Sequence, residues 1–486
     1  METIHFKTVD PLSQDLLRGA ARMGLDLNWE RYEKQQPQDG FLRLGLSCPY
    51  GCMQGPCRID PYGRGSDQGI CGLDRDGMVA AFLLRLALQG VLETMHAFHS
   101  GFHDTEIIWP APLNKKAIAA LVLAGGALLS TREIFESAVQ LNRPSTSPAE
   151  LIRQTVRLGL LAIGLMEQDR AQRKLPGSMG CRTGYGLLSG NTILIGLSGL
   201  IPEASIHALL EEIDGLKNSE VRLVSLGDWI SAGDDFIPIA CTSGEAETIL
   251  SSGKLNLLLA GPQTDPGLVS LCRKMNISVL FSADNPVAAA VLTQARTAFD
   301  HRAPVSFAPN ASLVSEGRVS IDASKIESIV KNVSSTKTAL IGGADTLQQS
   351  FGHLPVELTR ALIGQDHAIA SWGDAALWML KQELPTGILE SREGPLSAVR
   401  VLATLGKLSD LKGICFTGLK NSREFTLALG LAALGLKVSI AVPLPIWGSE
   451  KVRMALKDNL AAMGGSLTHY DHPAQADEIL DWFLQS

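Results

Sequence analysis

The spacing of apolar residues changes near residue 190, and this change predicts two kinds of architecture in one chain. Up to that point, apolar residues recur three and four apart, as they do along one face of a helix. Beyond it, short aliphatic or β-branched segments alternate with helical ones, and each short segment ends in a polar or glycine-rich turn. Alternating strands and helices are typical of βαβ units with parallel sheets.

These patterns predict the positions of individual elements. The predicted helices cover 13–23, 77–99, 115–129, 131–141, 147–173, 202–216, 356–362 and 424–434. The predicted strands cover 192–197, 221–226, 255–260, 277–281, 338–341, 413–416 and 437–442.

The predicted fold class is α/β: an N-terminal α-helical domain that carries a cysteine-rich loop, followed by two Rossmann-like parallel-sheet domains. At 486 residues the chain is too long for a single hydrophobic core. We place the domains at 1–185, 186–330 and 331–486. A segment rich in Ser, Val and Lys, residues 310–337, separates the last two.

The composition of the chain argues against several classes of partner and cellular environment. The net charge of −7 gives no basic footprint for nucleic acid and no polybasic patch for anionic lipid. The N-terminus lacks a basic segment followed by an apolar one, and the apolar run 117–129 is too short to span a bilayer. We therefore expect a cytoplasmic protein with no membrane span and no nucleic-acid partner.

Four of the eight cysteines, Cys48, Cys52, Cys57 and Cys71, fall within 24 residues in the pattern C-x3-C-x4-C-x13-C. Glycine or proline stands beside most of them, which permits the tight turns that bring thiolates together. Three close cysteines and a more distant fourth are typical of an iron–sulfur site. The loop 48–72 is thus predicted to bind a [4Fe–4S] cluster through these four residues.

Three other interpretations of the cysteine loop remain open. Structural zinc usually takes two separated pairs of ligands, and a disulfide framework suits a secreted chain. Unligated buried thiols are the third alternative. The remaining cysteines, Cys181, Cys241, Cys272 and Cys415, are scattered singly, as buried thiols in a reducing compartment tend to be.

The cysteine loop, with Gly55-Pro56 inside it and Gly72 after its last cysteine, resembles the N-terminal cluster loop of anaerobic nickel–iron carbon monoxide dehydrogenases, which are relatives of hybrid-cluster proteins. Weaker similarity extends over most of the chain, including Asn421-Ser-Arg and the segment from Trp447 to Lys451. The resemblance implies a helical domain followed by two Rossmann-like domains. It also implies a proton-conducting histidine row at His96, His99 and His103, and an acid/base role for Lys451. A solvated helix face and a surface lysine are the ordinary alternatives.

The chain also departs from this family. Its first cysteine pair is spaced one residue wider, and residues 40–47 lack the extra cysteines that form a subunit-bridging cluster in the dehydrogenases. The family holds its active-site cluster on cysteines and one histidine at the carboxyl ends of Rossmann strands, where ligand sites of such sheets lie. The predicted strand-end turns here supply neither residue type, and Cys272 and Cys415 are predicted within a helix and a strand. We therefore expect no nickel.

Polar residues occupy these predicted turns instead. They are Asp228, Gln263, Asp265, Asp284, Asn285, Asp345, Lys420 and Asn421. If they converge, they form a hydrophilic pocket for an organic or anionic ligand, although polar residues are ordinary in turns.

Two main hypotheses follow, and whether the chain is itself an enzyme stays open. The first is an electron-transfer iron–sulfur protein that serves as a subunit or partner of a larger anaerobic oxidoreductase. The second is an enzyme with a repurposed strand-end pocket that uses Lys451 or the row at His96, a class that includes an active carbon monoxide dehydrogenase. A purely structural cluster is a third possibility. The resemblance also suggests a homodimer.

Overall fold

The structure is a computed structural model. It describes residues 6–48, 52–98, 106–109, 112–126, 128–142, 147–172, 177–216, 220–284, 286–303, 305, 307–321, 326–327 and 337–485.

The chain forms two compact units, each assembled from three separate stretches of sequence. The first unit comprises Met1–Gln36, Pro176–Val333 and Ala344–Gly394. The second comprises Pro37–Leu175, Ser334–Gly343 and Pro395–Ser486. We describe each unit by itself.

The first unit is an α/β structure. Its helices are α1 (Pro11–Arg22), α2 (Asn28–Lys34), α8 (Glu203–Asp214), α9 (Pro266–Lys274), α10 (Ala288–Asp300), α11 (His353–Gly364) and α12 (Gly373–Lys381). Its strands are β3 (Ser178–Thr183), β4 (Ile193–Ser198), β5 (Val221–Leu226), β6 (Ser231–Ala232), β7 (Asp235–Phe236), β8 (Ile239–Cys241), β9 (Leu255–Ala260), β10 (Ser278–Phe281), β11 (Ser315–Ser320), β13 (Ala368–Trp372) and β14 (Gly387–Leu389).

The sheet of the first unit runs in the order β10-β9-β4-β5-β8-β3-β11-β14-β13. Neighbouring strands are parallel except for β3 and β11, which pair antiparallel. The central strands β4 and β9 are buried along their whole length, because helices cover both faces of a parallel sheet. This arrangement directs the turns after β4, β5, β8 and β9 to one edge of the sheet.

The second unit combines helices with a smaller parallel sheet. Its helices are α3 (Gly40–Leu44), α4 (Arg75–Ala97), α5 (Asn114–Leu123), α6 (Arg132–Asn142), α7 (Pro148–Gln172), α13 (Leu396–Thr404), α14 (Ser422–Ala433), α15 (Glu450–Ala462) and α16 (Ala476–Leu484). Its strands are β1 (Ser47–Cys48), β2 (Cys57–Arg58), β12 (Thr338–Gly343), β15 (Leu411–Phe416), β16 (Lys437–Ile440) and β17 (Ser466–His469). The strands β12-β15-β16-β17 are all parallel.

Small residues let the long helices of the second unit approach closely. A Cβ atom added to Gly430 of α14 would lie 2.3 Å from the carbonyl oxygen of Gly159 in α7. One added to Gly90 of α4 would lie 2.0 Å from the hydroxyl of Thr426 in α14. Contacts this short exclude any side chain at either glycine, so α14 packs backbone to backbone against its neighbours.

The predicted α/β fold class is confirmed. Most predicted elements are present with boundaries shifted by one or two residues, but α5 ends at Leu123 whereas a helix was predicted to 129. Gly125 follows with a positive φ of 95°, which ends a helix readily. The predicted domain limits of 1–185, 186–330 and 331–486 stay a prediction.

Helix α4 is the one described helix that is long and apolar enough to cross a membrane. Of its most apolar 18-residue window, 67% is buried inside the protein, as in the core helix of a folded domain. The helix is therefore weak evidence for a membrane span.

Candidate metal centre

The cysteine loop begins behind a short capped helix. Asp39 accepts hydrogen bonds from the backbone N–H groups of Phe41 and Leu42, which fixes the first turn of α3. Gly45 then ends the helix with a φ of 75°. A side chain at Gly45 would meet the carbonyl oxygen of Pro445 at 2.3 Å, so the chain enters the loop pressed against that segment.

Two short strands, each of two residues, hold the first and third cysteines in a hairpin. Strands β1 and β2 pair antiparallel, with Cys48 directly opposite Cys57. The N–H of Ile59 donates to the carbonyl of Leu46 at 2.9 Å, and both of these side chains are buried. The hairpin is thus anchored by an apolar pair below it, while its two cysteines face each other across the strands.

A second set of turns positions the last cysteine. Gly69 N–H donates to the carbonyl of Leu73, and Gly72 N–H donates to the carbonyl of Gly69, both at 2.9 Å. This fold aims the N–H of Ile70 at the Sγ atom of Cys57, 3.5 Å away. Such a donor stabilises negative charge on the sulfur, as a thiolate ligand requires.

All four predicted ligands line one small pocket. Cys48, Cys52, Cys57 and Cys71 share it with Gly55, Gly69, Leu73 and Met78. The chemistry of this donor set, four sulfurs in an otherwise apolar lining, fits an iron–sulfur group. Among the described residues, no three His, Cys, Asp or Glu side chains are close enough together to bind a single metal ion.

The pocket opens to solvent. Cys71 is exposed, and the side chains of Met53, Tyr62 and Ile70 in the same loop are 89%, 77% and 68% exposed. Below this surface, Asp60 accepts hydrogen bonds from the backbone N–H groups of the following turn, which lowers its carboxyl pKa. The loop therefore presents an exposed thiol and three exposed apolar side chains to solvent.

The resemblance to carbon monoxide dehydrogenases implies catalytic roles for His96, His99, His103 and Lys451. The two of these residues that the structure describes, His96 and Lys451, are exposed. His96 is exposed in the last turn of α4. His99 and His103 lie outside the described residues. Lys451 has a 73% exposed side chain and pairs with Asp76 at 3.4 Å. Its roles and those of the histidines stay predictions.

Three of the eight predicted strand-end residues have local structural roles. Asp265 caps α9 by accepting from Gly267 N–H, and Asn421 caps α14 by accepting from Glu424 N–H. Asp228 joins two turns, since it accepts from Gly199 N–H at 2.7 Å and from the hydroxyl of Ser198.

The other members of that set are more varied. Gln263 adopts a φ of 70° in its turn, Asp284 ends a short 3-10 segment, and Lys420 precedes α14. Asn285 lies outside the described residues.

Two strands that the sequence pattern missed end in potential metal ligands. Cys241 is the last residue of β8 and His469 is the last residue of β17, so both stand at carboxyl ends. This corrects the expectation that none of the scattered cysteines lies at a strand end. Burial and the nearby cation of Arg453 lower the pKa of His469 to about 4. The same guanidinium, which lies 4.4 Å from the centre of the Trp447 ring, disfavours a second cation there.

Asp345 differs from the other turn residues because it belongs to a buried acidic network. Its carboxylate accepts hydrogen bonds from Thr242 Oγ1 at 2.5 Å and from Trp378 Nε1 at 2.9 Å. Its own N–H donates to Asp374, which also accepts from the N–H and hydroxyl of Ser243. Burial and the charge of Asp374 hold the pKa of Asp345 well above its usual range.

This raised pKa predicts a pH dependence of stability. Asp345 ionises near pH 4 in the unfolded chain but keeps its proton to higher pH in the folded one. The folded state then binds more protons, so the free energy of unfolding falls as pH rises above about 4, by at most about 1.4 kcal/mol per pH unit. Asp345→Asn, which is neutral at every pH, is expected to lose this fall relative to the wild type. Urea unfolding at several pH values measures it.

The exposed Asp234 provides the matched control, since Asp234→Asn is expected to leave the slope unchanged. Equal slopes for Asp345→Asn and the wild type between pH 4 and the raised pKa would contradict the assignment.

Comparison with known proteins completes the description of the site. No protein-family model matches the chain. Carbon monoxide dehydrogenase 1 of Methanosarcina mazei is 44% identical over 99 residues, which are 20% of this chain and 15% of that protein. The solved structure of carbon monoxide dehydrogenase IV from Carboxydothermus hydrogenoformans has a TM-score of 0.77 at 18% identity, covering 99% of both chains. The chain is thus similar to carbon monoxide dehydrogenases over these 99 residues and shares the fold of their solved structures.

Another solved member of the carbon monoxide dehydrogenase superfamily has a similar fold. That structure shows NiZn[Fe4S4] and NiNi[Fe4S4] clusters in closed and open alpha subunits of acetyl-CoA synthase/carbon monoxide dehydrogenase. Its TM-score is 0.77 at 15% identity, covering 100% of this chain and 94% of that one. At such identities the solved carbon monoxide dehydrogenases show a shared fold alone, while the sequence match spans 15% of the curated relative's length.

Proposed function

We propose that the protein is an iron–sulfur redox protein that holds one [4Fe–4S] cluster on Cys48, Cys52, Cys57 and Cys71. It lacks the ligands of a nickel–iron–sulfur active site and transfers electrons as a subunit or partner of a larger anaerobic oxidoreductase. The observation that carries this proposal is the single pocket lined by all four cysteines. A bound cluster of this kind supplies one-electron redox chemistry.

The placement of the other cysteines supports the proposal of a single cluster. Cys181, Cys272 and Cys415 are buried singly, in β3, α9 and β15. Burial raises the pKa of Cys181 and of Cys272 to about 12, and it raises that of Cys415 further. These three thiols are therefore suited to apolar packing.

Cys241 is the most informative of these cysteines because it lies at a strand end. Burial raises its pKa well above the usual value, and the nearby carboxylates of Glu245, Asp374 and Asp228 raise it further, against the opposing effect of Lys381. An acidic environment of this kind keeps a thiol protonated.

The exposed part of the cysteine loop is where we expect a redox partner to bind. An electron carrier must bring its cluster close to that of another protein, and Cys71 lies at the surface in a loop that also exposes Met53, Tyr62 and Ile70. We place this partner in the cytoplasm, and we retain a homodimer as a proposal. Neither nucleic acid nor membrane takes part in this proposal.

The alternative is an enzyme whose strand-end pocket has been repurposed, or an active carbon monoxide dehydrogenase. Lys451, its proposed acid/base, is exposed and paired with Asp76, which is the usual setting of a surface lysine. The electron-transfer proposal therefore predicts that Lys451→Met leaves the activity of the native complex unchanged.

Anaerobic reconstitution followed by metal analysis tests the proposed function. We expect about four irons and no nickel per chain, since one [4Fe–4S] cluster binds through four cysteines. The reconstituted protein should also accept one electron from a low-potential donor, as followed by its visible absorption and paramagnetic resonance spectra. Eight or more irons together with nickel would overturn the single-cluster assignment, and tightly held zinc without iron would overturn the cluster itself.

A further inference from the structure

We propose that the metal-free loop is a site of oxidative modification in which Cys48 and Cys57 form a disulfide with each other, in preference to any pairing with Cys52 or Cys71. The pairing itself is inferred from the strand register. Its consequence for metal loading rests on the proposed function.

The register places these two cysteines directly across an antiparallel ribbon. Two residues further along, Ile59 N–H donates to the carbonyl of Leu46, so Cys48 and Cys57 also belong to the hydrogen-bonded type of cross-strand pair. The Cα atoms of such a pair lie about 5.5 Å apart. Disulfides bridge Cα atoms about 4.4–6.8 Å apart, so this separation lies within the range of a disulfide. The Cβ atoms of a hydrogen-bonded pair lie about 5.5 Å apart, farther than the roughly 3.5–4.5 Å of a disulfide, so the two strands must approach by about 1 Å.

The side chains also point the same way. Cross-strand partners lie on one face of a ribbon, and both cysteines line the same pocket. The buried pair of Leu46 and Ile59 fixes the hairpin beneath them. Bond formation therefore requires rotation of the two side chains and an approach of the two strands by about 1 Å, with no change of register.

The other two cysteines are held differently. Cys52 lies outside the paired strands, in the connection between them. Cys71 lies in an exposed turn, and the N–H of Ile70 beside it approaches the Sγ atom of Cys57. Neither Cys52 nor Cys71 belongs to the paired strands, so no strand register holds either of them opposite a second cysteine.

The reaction is a balanced thiol–disulfide exchange with a small-molecule disulfide such as oxidised glutathione. The thiolate of one cysteine attacks a sulfur of oxidised glutathione, forms a mixed disulfide and releases one glutathione thiolate. The second cysteine attacks the mixed disulfide and releases the second glutathione. The two cysteines are oxidised by two electrons, and oxidised glutathione is reduced to two glutathione molecules.

The disulfide would block metal loading. It removes two of the four thiolates on which the cluster depends, and these are the two that the hairpin holds most rigidly. Reduction by a thiol restores them. A protein that has lost its cluster to an oxidant is then protected from further oxidation of Cys48 and Cys57, but it takes up iron again only after reduction.

Peptide mapping of the metal-free full chain tests the pairing. The protein is stripped of metal with a chelator, exposed to oxidised glutathione, alkylated, digested and analysed by mass spectrometry. We expect the linked Cys48–Cys57 peptides to exceed every other linkage by at least about tenfold, a ratio that corresponds to about 1.4 kcal/mol. A dominant link to Cys52 or Cys71, or free alkylation of both Cys48 and Cys57, would overturn the proposal.

Matched variants keep the outcome interpretable. The double variant Cys52→Ser/Cys71→Ser retains the proposed pair and should form the disulfide as the wild type does. Cys57→Ser should lose it, leaving Cys48 free or joined to glutathione. Iron uptake by oxidised protein before and after dithiothreitol gives the second readout, and recovery only after reduction is expected.

The outcomes separate the two proposals. A correct disulfide in a chain that never binds iron refutes the proposed function alone. Iron binding with a different disulfide, or with none, refutes this inference alone.

Discussion

Replacing Lys381 with methionine is expected to lower the free energy of unfolding by about 3–5 kcal/mol, because it leaves a buried carboxylate without its cation. Lys381 Nζ lies 2.8 Å from Glu245 and 3.4 Å from Asp10. The side chain of Glu245 is fully buried and that of Lys381 is 7% exposed. Their mutual attraction raises the pKa of Lys381 despite burial, which keeps the ammonium charged.

Methionine keeps most of the volume and the apolar contacts of this lysine. The ammonium lies 4.5 Å from the centre of the Trp378 ring and 5.1 Å from that of Tyr185, so both rings would lose a cation. The loss of charge therefore dominates the expected effect. Urea unfolding followed by tryptophan fluorescence measures it, as a shift of the midpoint at constant slope.

Two further variants test the explanation. Lys34→Met removes the cation of an exposed pair with Asp26, where both side chains are more than 40% exposed, and should leave the unfolding midpoint nearly unchanged. Lys381→Met/Glu245→Gln removes both buried charges and should recover a large part of the loss. If the single variant at Lys381 were as stable as Lys34→Met, the buried pair would have no structural role.

Replacing Cys57 with serine is expected to reduce the iron content of the reconstituted protein from about four per chain to a small fraction of that. Cys57 is held by the hairpin and its sulfur receives the Ile70 N–H, so its thiolate is preorganised. A serine hydroxyl is a harder and weaker ligand for iron in a cluster. Iron analysis and the visible spectrum of anaerobically reconstituted protein measure the loss.

Cys272→Ala is the matched control because this buried thiol lies in α9, within the apolar core of the first unit. It should bind as much iron as the wild type. Full iron content in Cys57→Ser, with an unchanged spectrum, would mean that the cluster is bound elsewhere.

The sequence predicts the fold best where the apolar pattern is continuous. Strand β9, Leu-Asn-Leu-Leu-Leu-Ala, is buried throughout and was predicted at its observed limits. Strand β8 has three residues and β17 mixes polar and partly exposed positions, so neither has a recognisable period. The potential ligands at their ends, Cys241 and His469, were missed for that reason.

The metal site was predictable because its residues are close in sequence. Cysteine spacing and adjacent glycines identify the loop directly, and all four cysteines do line one pocket. The acidic network of the first unit was not predictable beyond Asp345. Its key pair, Lys381 and Glu245, is separated by 136 residues, and only the folded sheet brings the two together.

The segment Trp447–Lys451 makes hydrogen bonds to residues on both sides of the cysteine loop. Gly448 N–H donates to the carbonyl of Leu44 at 2.8 Å, and the hydroxyl of Ser449 donates to Asp76 at 2.6 Å. One of these bonds is made just before the cysteine loop and the other just after it. The segment is therefore hydrogen-bonded to the chain on both sides of the loop. We expect the amide hydrogen of Gly448 to exchange with solvent more slowly when the loop holds its cluster. That single amide would report cofactor occupancy from outside the cofactor's own coordination shell.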